Sequence, residues 1–255
     1  MKNNVFTYNK IGASILRFLI GFLIFKDFLI YLVNKNFLFD NKGIVSYNTY
    51  LDIIQYYRLE WLYIDFTNKT NVIIFCLLGV LFSFLFMIGI FQKISTLVLF
   101  FLLFVFKIRD LYLLDGADNV ILVLLPFFLF INTYSFSQKY NLLKNKYFIN
   151  RNETIINLFS KYFLMAIVVQ LCIVYFFSGL HKLQGEVWRD GTALYYILNS
   201  DDFSPTAFNS FFTSFLWLVK LCSWTTIVFQ LTFPIFVFIE KTKKMDYPDR
   251  HFITH

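Results

Sequence analysis

Charge is scarce in this chain: of its 255 residues only 15% are Asp, Glu, Lys or Arg. Soluble domains carry about 25%, so a large soluble core behind an ordinary solvated surface is excluded. Cysteine is scarce too. Cys76, Cys172 and Cys222 each lie in an apolar run without metal-ligand spacing, and an odd number in such positions points to no disulfide framework. His181 is the only histidine before the tail that holds His251 and His255. A metal centre needs two or three converging ligands, so no zinc or haem site is expected. The chain has no P-loop, no Gly-rich dinucleotide fingerprint, no Gly-x-Ser-x-Gly elbow and no His-Glu-x-x-His pair. It shows no repeat of solenoid period, no Pro- or Gly/Ser-rich linker and no second soluble domain.

Apolar surface is abundant instead. Hydrophobic residues make up 58% of the chain, and 36 residues are Phe. A helix needs about 20 apolar residues to cross about 30 Å of hydrocarbon. Six segments qualify on this reading: residues 11–33, 72–91, 94–114, 119–136, 158–180 and 212–239. The first carries Lys26 and Asp27, the third carries Lys107, Arg109 and Asp110, and the sixth contains Pro234 as a candidate kink. The first run has no small-residue cleavage site after it and reads as a signal anchor. The expectation is an all-α polytopic membrane bundle of about six transmembrane helices. It forms one domain over residues 1–240, with a short polar tail over 241–255.

The net charge of +7 fits this picture. One set of flanks holds Lys2 and Lys10, Lys93, then Lys139, Lys144, Lys146 and Arg151, and finally Lys241, Lys243, Lys244 and Arg250. In the alternate loops, residues 34–71, 109–118 and 181–211, acids match or outnumber bases. The positive-inside rule then puts both termini in the cytoplasm and the Lys182 loop outside. Basic residues that flank spans lack the groove-forming context of nucleic-acid binding, so no nucleic-acid partner is expected. The partner implied by composition is the lipid bilayer.

The loop over residues 34–71 is too long to lack structure of its own. Within it, residues 50–63 place apolar residues, Trp and Tyr at helical spacing. This predicts an interfacial helix covering an outward cavity.

The stretch from Tyr175 to Gly191 carries the best candidate chemistry. On a helix, Tyr175, Ser178, Gly179 and Lys182 share one side, with Glu186 a turn further on. Gly179 permits close helix approach. Cations near bilayer depth are costly and often functional. A desolvated Lys182 can serve as a general base, whereas a Lys at a span end can also simply snorkel to the headgroups. His181 points about 100° away from Lys182. Trp188-Arg-Asp-Gly191 reads as an interfacial turn, and residues 192–198 as a short surface helix that Phe203-Ser-Pro205 ends. A second polar cluster holds Arg109, Asp110, Asp115, Asp118 and Asn119. Here Asp118 or Asn119 is expected to cap the fourth span, and Arg109 to pair with an acid of its own loop. Gln170 and Gln230 lie within spans and suit interhelical hydrogen bonds. Both polar loops fall on the outer side, so they can share one outward cavity.

The pattern Tyr175-Phe176, Ser178-Gly179, Lys182-Leu183, Trp188, Gly191 and Phe203-Ser204-Pro205 resembles the membrane domain of vitamin K-dependent γ-carboxylase and its bacterial relatives, the horizontally transferred transmembrane (HTTM) domain proteins. Asp115-Gly-Ala-Asp-Asn119 and Asp40-Asn-Lys-Gly43 are similar to the family as well, and the likeness spans about residues 10–240. The run from Trp188 to Tyr196 looks most like the SdpB branch, which serves maturation or export of a secreted antimicrobial peptide. The resemblance implies a bacterial cytoplasmic-membrane location, a secreted peptide substrate and a small cytosolic partner protein. It implies that Lys182 is an active-site base acting on a reduced quinone. In the carboxylase that base deprotonates reduced vitamin K, and oxygen addition yields the strong base that removes a glutamate γ-proton. The carboxylase's second functional His falls near Asp118, which makes Asp118 and Asn119 the other catalytic candidates. Arg109, Tyr175, His181, Trp188 and Gly191 are the candidates for lining a substrate or quinone cavity. Two features depart from the carboxylase: its large outward peptide-holding domain has no counterpart in this sequence, and the spacing from Lys182 to Trp188 is one residue longer.

Two other functions compete with a carboxylase-like membrane enzyme. One is a non-catalytic membrane partner or immunity subunit. The other is a small-molecule or lipid transporter, which is disfavoured because no span is broken by paired Gly and Pro.

Overall fold

An apolar chain that shuns water must satisfy its backbone N–H and C=O groups internally, and the helix does so within one segment. In a computed structural model, which describes residues 10–40, 45–110, 116–135, 151–200 and 207–243, every regular element is helical. The basic segment around Lys144, Asp115, Phe203-Ser-Pro205 and residues 41–43 of the Asp40–Gly43 motif lie outside the described residues. By contacts the chain forms two compact units, one reaching Ile167 and the other beginning at Val168.

The first unit contains α1 (Lys10–Val33), α2 (Lys35–Phe39), α3 (Tyr47–Tyr56), α4 (Lys69–Ile88), α5 (Gln92–Arg109), α6 (Gly116–Leu124) and the start of α7 (Arg151–Gln184). The second contains the rest of α7, then α8 (Glu186–Arg189), α9 (Ala193–Leu198), α10 (Ala207–Thr213) and α11 (Leu216–Lys243).

Among the described residues three helical segments are long and apolar enough to cross a membrane: Lys69–Ile88, Ile155–Gln184 and Leu216–Ile239. The six expected spans are not supported, and the reasons are local. Helix α1 carries Lys10, Arg17, Lys26 and Asp27, and α5 carries Lys93, Lys107 and Arg109. Helix α6 is short because Pro126 follows it. Proline lacks an N–H and crowds the carbonyl one turn back, and the chain tightens into a 3₁₀ turn over Leu125–Leu129. The expected cap is also revised: Asp118 and Asn119 lie inside the first turn of α6 rather than ahead of it.

Helices α1 and α4 pack antiparallel at close range. A Cβ at Gly21 would lie 2.9 Å from the Met87 Cα, and one at Gly79 only 2.1 Å from the Phe28 ring. Glycine is therefore required at both positions for the helices to touch. At the α3 end of this pair, Phe39 stacks on Phe66 at 5.2 Å, and both rings meet Phe75 edge-on. Tyr31 stacks on Phe106 at 4.0 Å. The turn from α4 to α5 uses Gly89 at φ 79° and Phe91 at φ 48°. Gly89 has a second constraint, because a Cβ there would strike the Arg17 guanidinium.

A helix does form in this loop, starting earlier and running shorter than residues 50–63. It is α3, capped by the Ser46 hydroxyl accepting from the Thr49 N–H. It ends where Arg58 adopts φ 55°. A 3₁₀ turn follows at Glu60–Leu62. Tyr50 and Ile54 face inward, while Tyr56, Tyr57, Trp61 and Tyr63 are exposed. Thr67 donates both its hydroxyl and its N–H to Asp65, holding that carboxyl below the usual carboxylate range. The surface helix expected over residues 192–198 is α9, and Pro234 lies inside α11.

Gly79→Ala should destabilise the protein by about 1–3 kcal/mol, the usual cost of overpacking. Gly116→Ala, where no atom lies within 4 Å of the added Cβ, is the matched control. Thermal unfolding in detergent checks this: the midpoint falls for the first variant and holds for the second.

Candidate functional site

Helical spacing on α7 brings Tyr175, Ser178, Gly179 and Lys182 to the side that meets α11. Gly179 is the point of closest approach: a Cβ there would sit 2.9 Å from Leu231. That approach puts Gln230 within reach of Lys182. The Lys182 ammonium donates to Gln230 Oε1 at 2.9 Å and to Ser178 Oγ at 3.2 Å, and it lies 4.9 Å from the centre of the Trp188 ring. Gln230 thus serves as the interhelical partner expected of it. Tyr175 stacks on Phe233 of α11 at 4.5 Å.

The chain reversal after α7 is what delivers Trp188. Gly185 N–H donates to the Lys182 carbonyl, and the extended backbone at Gly185 opens α8. Gly191 closes the turn at φ 75°, buried against Lys220 so closely that a Cβ would lie 3.0 Å from its side chain. Two bonds pin the turn to α11: Trp224 Nε1 donates to the Arg189 carbonyl at 3.0 Å, and the Leu194 N–H to Ser223 Oγ at 3.3 Å. His181 is exposed. Trp224, Ser223 and Lys220 carry no sequence signal beyond being polar or aromatic positions in an apolar run.

An ammonium has three N–H groups and no acceptor. Here two oxygens and an aromatic face surround it, a set that suits the charged form. A neutral amine would still donate to both oxygens with its two remaining N–H groups, so loss of one proton leaves the hydrogen bonds intact.

The second cluster belongs to the first unit and is organised differently. Arg109 is fully buried at the end of α5. Its guanidinium donates to the Val45 carbonyl at 2.7 Å, to Phe39 at 3.2 Å and to Asp40 at 3.4 Å. Asp110, also buried, comes to 3.7 Å of the guanidinium, and among the described residues no hydrogen-bond donor reaches its carboxylate. The expected pairing of Arg109 with an acid is therefore present, but the carbonyl clamp is its closer engagement. Lys107 donates to Asn119 Oδ1 at 2.6 Å. Asp118 and Asn119 line a cavity of about 10 Å³ with Tyr31 and Lys107, room for about one water. The candidates thus divide between the units: Lys182, Tyr175, Trp188 and Gly191 belong to the second, where Trp188 alone of the other three meets the ammonium, and Arg109, Asp118 and Asn119 belong to the first, where the Arg109 clamp and the Asp118–Asn119 cavity have no residue in common.

A third polar group escaped the sequence reading. Arg17 is buried on α1, donating to Thr133 Oγ1 and to the Met87 carbonyl, while Thr133 donates to Gln92 Oε1. Gln92 Nε2 in turn reaches the Phe128 and Ile131 carbonyls at 2.7 and 2.8 Å. The signal was available, since Arg17 stands inside an apolar run just as Lys182 does.

Arg109→Met leaves three carbonyls and a buried carboxylate without their cation and should cost about 3–5 kcal/mol. Adding Asp110→Leu should recover part of that loss, because the stranded charge is gone. Chemical unfolding of the single and double variants measures both effects.

Comparison with protein-family models, with curated proteins and with solved structures found no match.

Proposed function

We propose that this chain is a multi-pass component of the bacterial cytoplasmic membrane that serves maturation or export of a secreted antimicrobial peptide, as the SdpB branch of the HTTM proteins it resembles does. One observation carries the reading. Residues of the resemblance around Lys182 converge in space: Ser178 and Trp188 meet its ammonium at the end of a membrane-length helix, and Gly179 lets that helix close on α11. In this reading both termini are cytoplasmic, α1, α5 and the apolar segment over residues 119–136 also cross the membrane, and the Lys182 turn faces out.

Lys182 is the candidate base. The aromatic face of Trp188 beside the amine fits a flat, weakly acidic ring, and a reduced quinone held there would supply an ionisable hydroxyl. The protein's own part is to hold or release a proton at Nζ. Gln230 and Ser178 keep the amine in place through either state, and Trp188 covers one side of it. A small cytosolic protein is the further partner that the resemblance suggests.

A second reading has its own support. The two oxygens and the ring face around Nζ complete the shell of a permanently protonated ammonium. That favours a non-catalytic partner or immunity subunit, in which Lys182 joins α7 to α11.

Lys182→Arg separates the two. A guanidinium stays protonated and cannot act as a base, so the catalytic reading expects both Lys182→Ala and Lys182→Arg to abolish peptide maturation at unchanged membrane levels. Full maturation by Lys182→Arg would leave no base role. Peptide maturation in cells, assayed by mass spectrometry, reads the outcome. The topology is tested by cysteine labelling in a background with Cys76, Cys172 and Cys222 replaced. Thr192→Cys should react with an impermeant reagent on intact cells and Lys93→Cys should not.

A further inference from the structure

The first unit holds a cavity that the Lys182 chemistry does not use. Its volume is about 270 Å³, and Lys35, Lys69, Asp40 and Thr67 line it above a floor that includes Phe39, Phe66 and Val72. The floor is built rigidly: all three floor residues are buried, and the Phe39 and Phe66 rings are stacked on each other. The rim is cationic. Among the described residues neither Lys35 nor Lys69 makes an ion pair or a hydrogen bond through its ammonium. Two like charges left together on one cavity repel each other unless an anion joins them.

Position narrows the ligand. Lys69 is the first residue of α4, a helix of 20 apolar-rich residues. At 1.5 Å per residue it spans the thickness of the hydrocarbon, so its ends reach the headgroup layer. Lys35 lies just past the end of α1, which packs antiparallel to α4. The cavity therefore combines an apolar floor with two ammoniums at headgroup level. Among the described residues its rim carries two positive charges and the one carboxylate of Asp40, a net charge of one positive. That balance matches a phosphodiester, which bears a single negative charge, better than a free phosphate dianion. Lysines suit phosphate as point charges, whereas planar carboxylates favour the arginine fork, and among the described residues no Arg lines the cavity.

We propose that this cavity binds the phosphodiester headgroup of an anionic phospholipid, seated between Lys35 and Lys69 with its glycerol carbons on the Phe39–Phe66 floor. The site goes beyond the peptide-maturation reading and does not involve Lys182, so either can fail without the other.

The test uses the full chain purified in zwitterionic detergent, titrated with short-chain phosphatidylglycerol and followed by thermal shift. Saturable stabilisation is expected, with none from phosphatidylcholine of the same chain length and a weaker effect from inorganic phosphate. Lys35→Gln and Lys69→Gln should each weaken binding about fivefold and the pair about thirtyfold, from ~1 kcal/mol per lysine near an anionic headgroup. Lys93→Gln, the same charge change at the other end of the helices, should leave binding unchanged. The Lys35→Arg, Lys69→Arg pair should retain it. Melting temperatures without lipid report whether the variants fold. With the unmodified protein, affinity should fall as salt rises. Salt-independent binding, an equal response to phosphatidylcholine, or a double Gln variant that binds like the parent would overturn the site. An equal response to inorganic phosphate would overturn the lipid assignment.

Discussion

Two guanidinium groups buried in an apolar chain hold the first unit together at its opposite ends. Backbone carbonyls at the ends of helices and turns have no partner within their own segment, and in a chain this poor in charge few side chains can supply one. Arg109 binds the carbonyls of Val45, Phe39 and Asp40, which ties these three residues to the end of α5. Arg17 does the same work at the other end, where it meets the last turn of α4 and, through Thr133 and Gln92, the irregular chain after α6. Removing water from these carbonyls without such donors would cost several kcal/mol each in a hydrocarbon setting. The arginines are what permit non-helical backbone to sit against apolar helices.

The irregular stretch from Phe130 to Tyr134 illustrates the same constraint on a smaller scale. Pro126 ends regular α-helix early, so the chain beyond it has exposed its backbone groups. Ser160 of α7 accepts from the Asn132 N–H and donates to the Phe130 carbonyl, and Ser14 of α1 accepts from the Tyr134 N–H. Single hydroxyls on neighbouring helices replace the ladder that proline interrupts.

In the second unit, glycine does what arginine does in the first. Gly179 brings α7 against α11, and Gly191 turns the chain so that α9 returns to α11. Lys182, Gln230 and Trp188 meet as a consequence of that packing. The arrangement suits the charged form and keeps both hydrogen bonds when a proton is lost, and this is why the identity of residue 182 rather than its charge carries the functional question.

Much was legible from the sequence. All-helical character followed from apolar runs too long for strands, and α4, α7 and α11 fall within a few residues of the apolar segments at 72–91, 158–180 and 212–239. The polar stripe on α7 followed from helical spacing, and the turn at Gly191 from its Trp and Gly. These are local properties, set by composition and period. What the sequence could not decide was where each charge goes. Arg109 has the same neighbours in sequence whether it faces a cavity or a ring of carbonyls, and only the approach of Phe39, Asp40 and Val45 to its guanidinium decided that. Arg17 in a hydrophobic run and Pro126 near the end of another were visible, yet their effects depended on Thr133, Gln92 and Ser160, which are distant in the chain. Likewise the cavity between Lys35 and Lys69 exists because α1 and α4 pack antiparallel. Pattern along one segment determines that segment's helix and face, whereas the partner that a buried polar group finds is a matter of long-range contact, which only the tertiary structure settles.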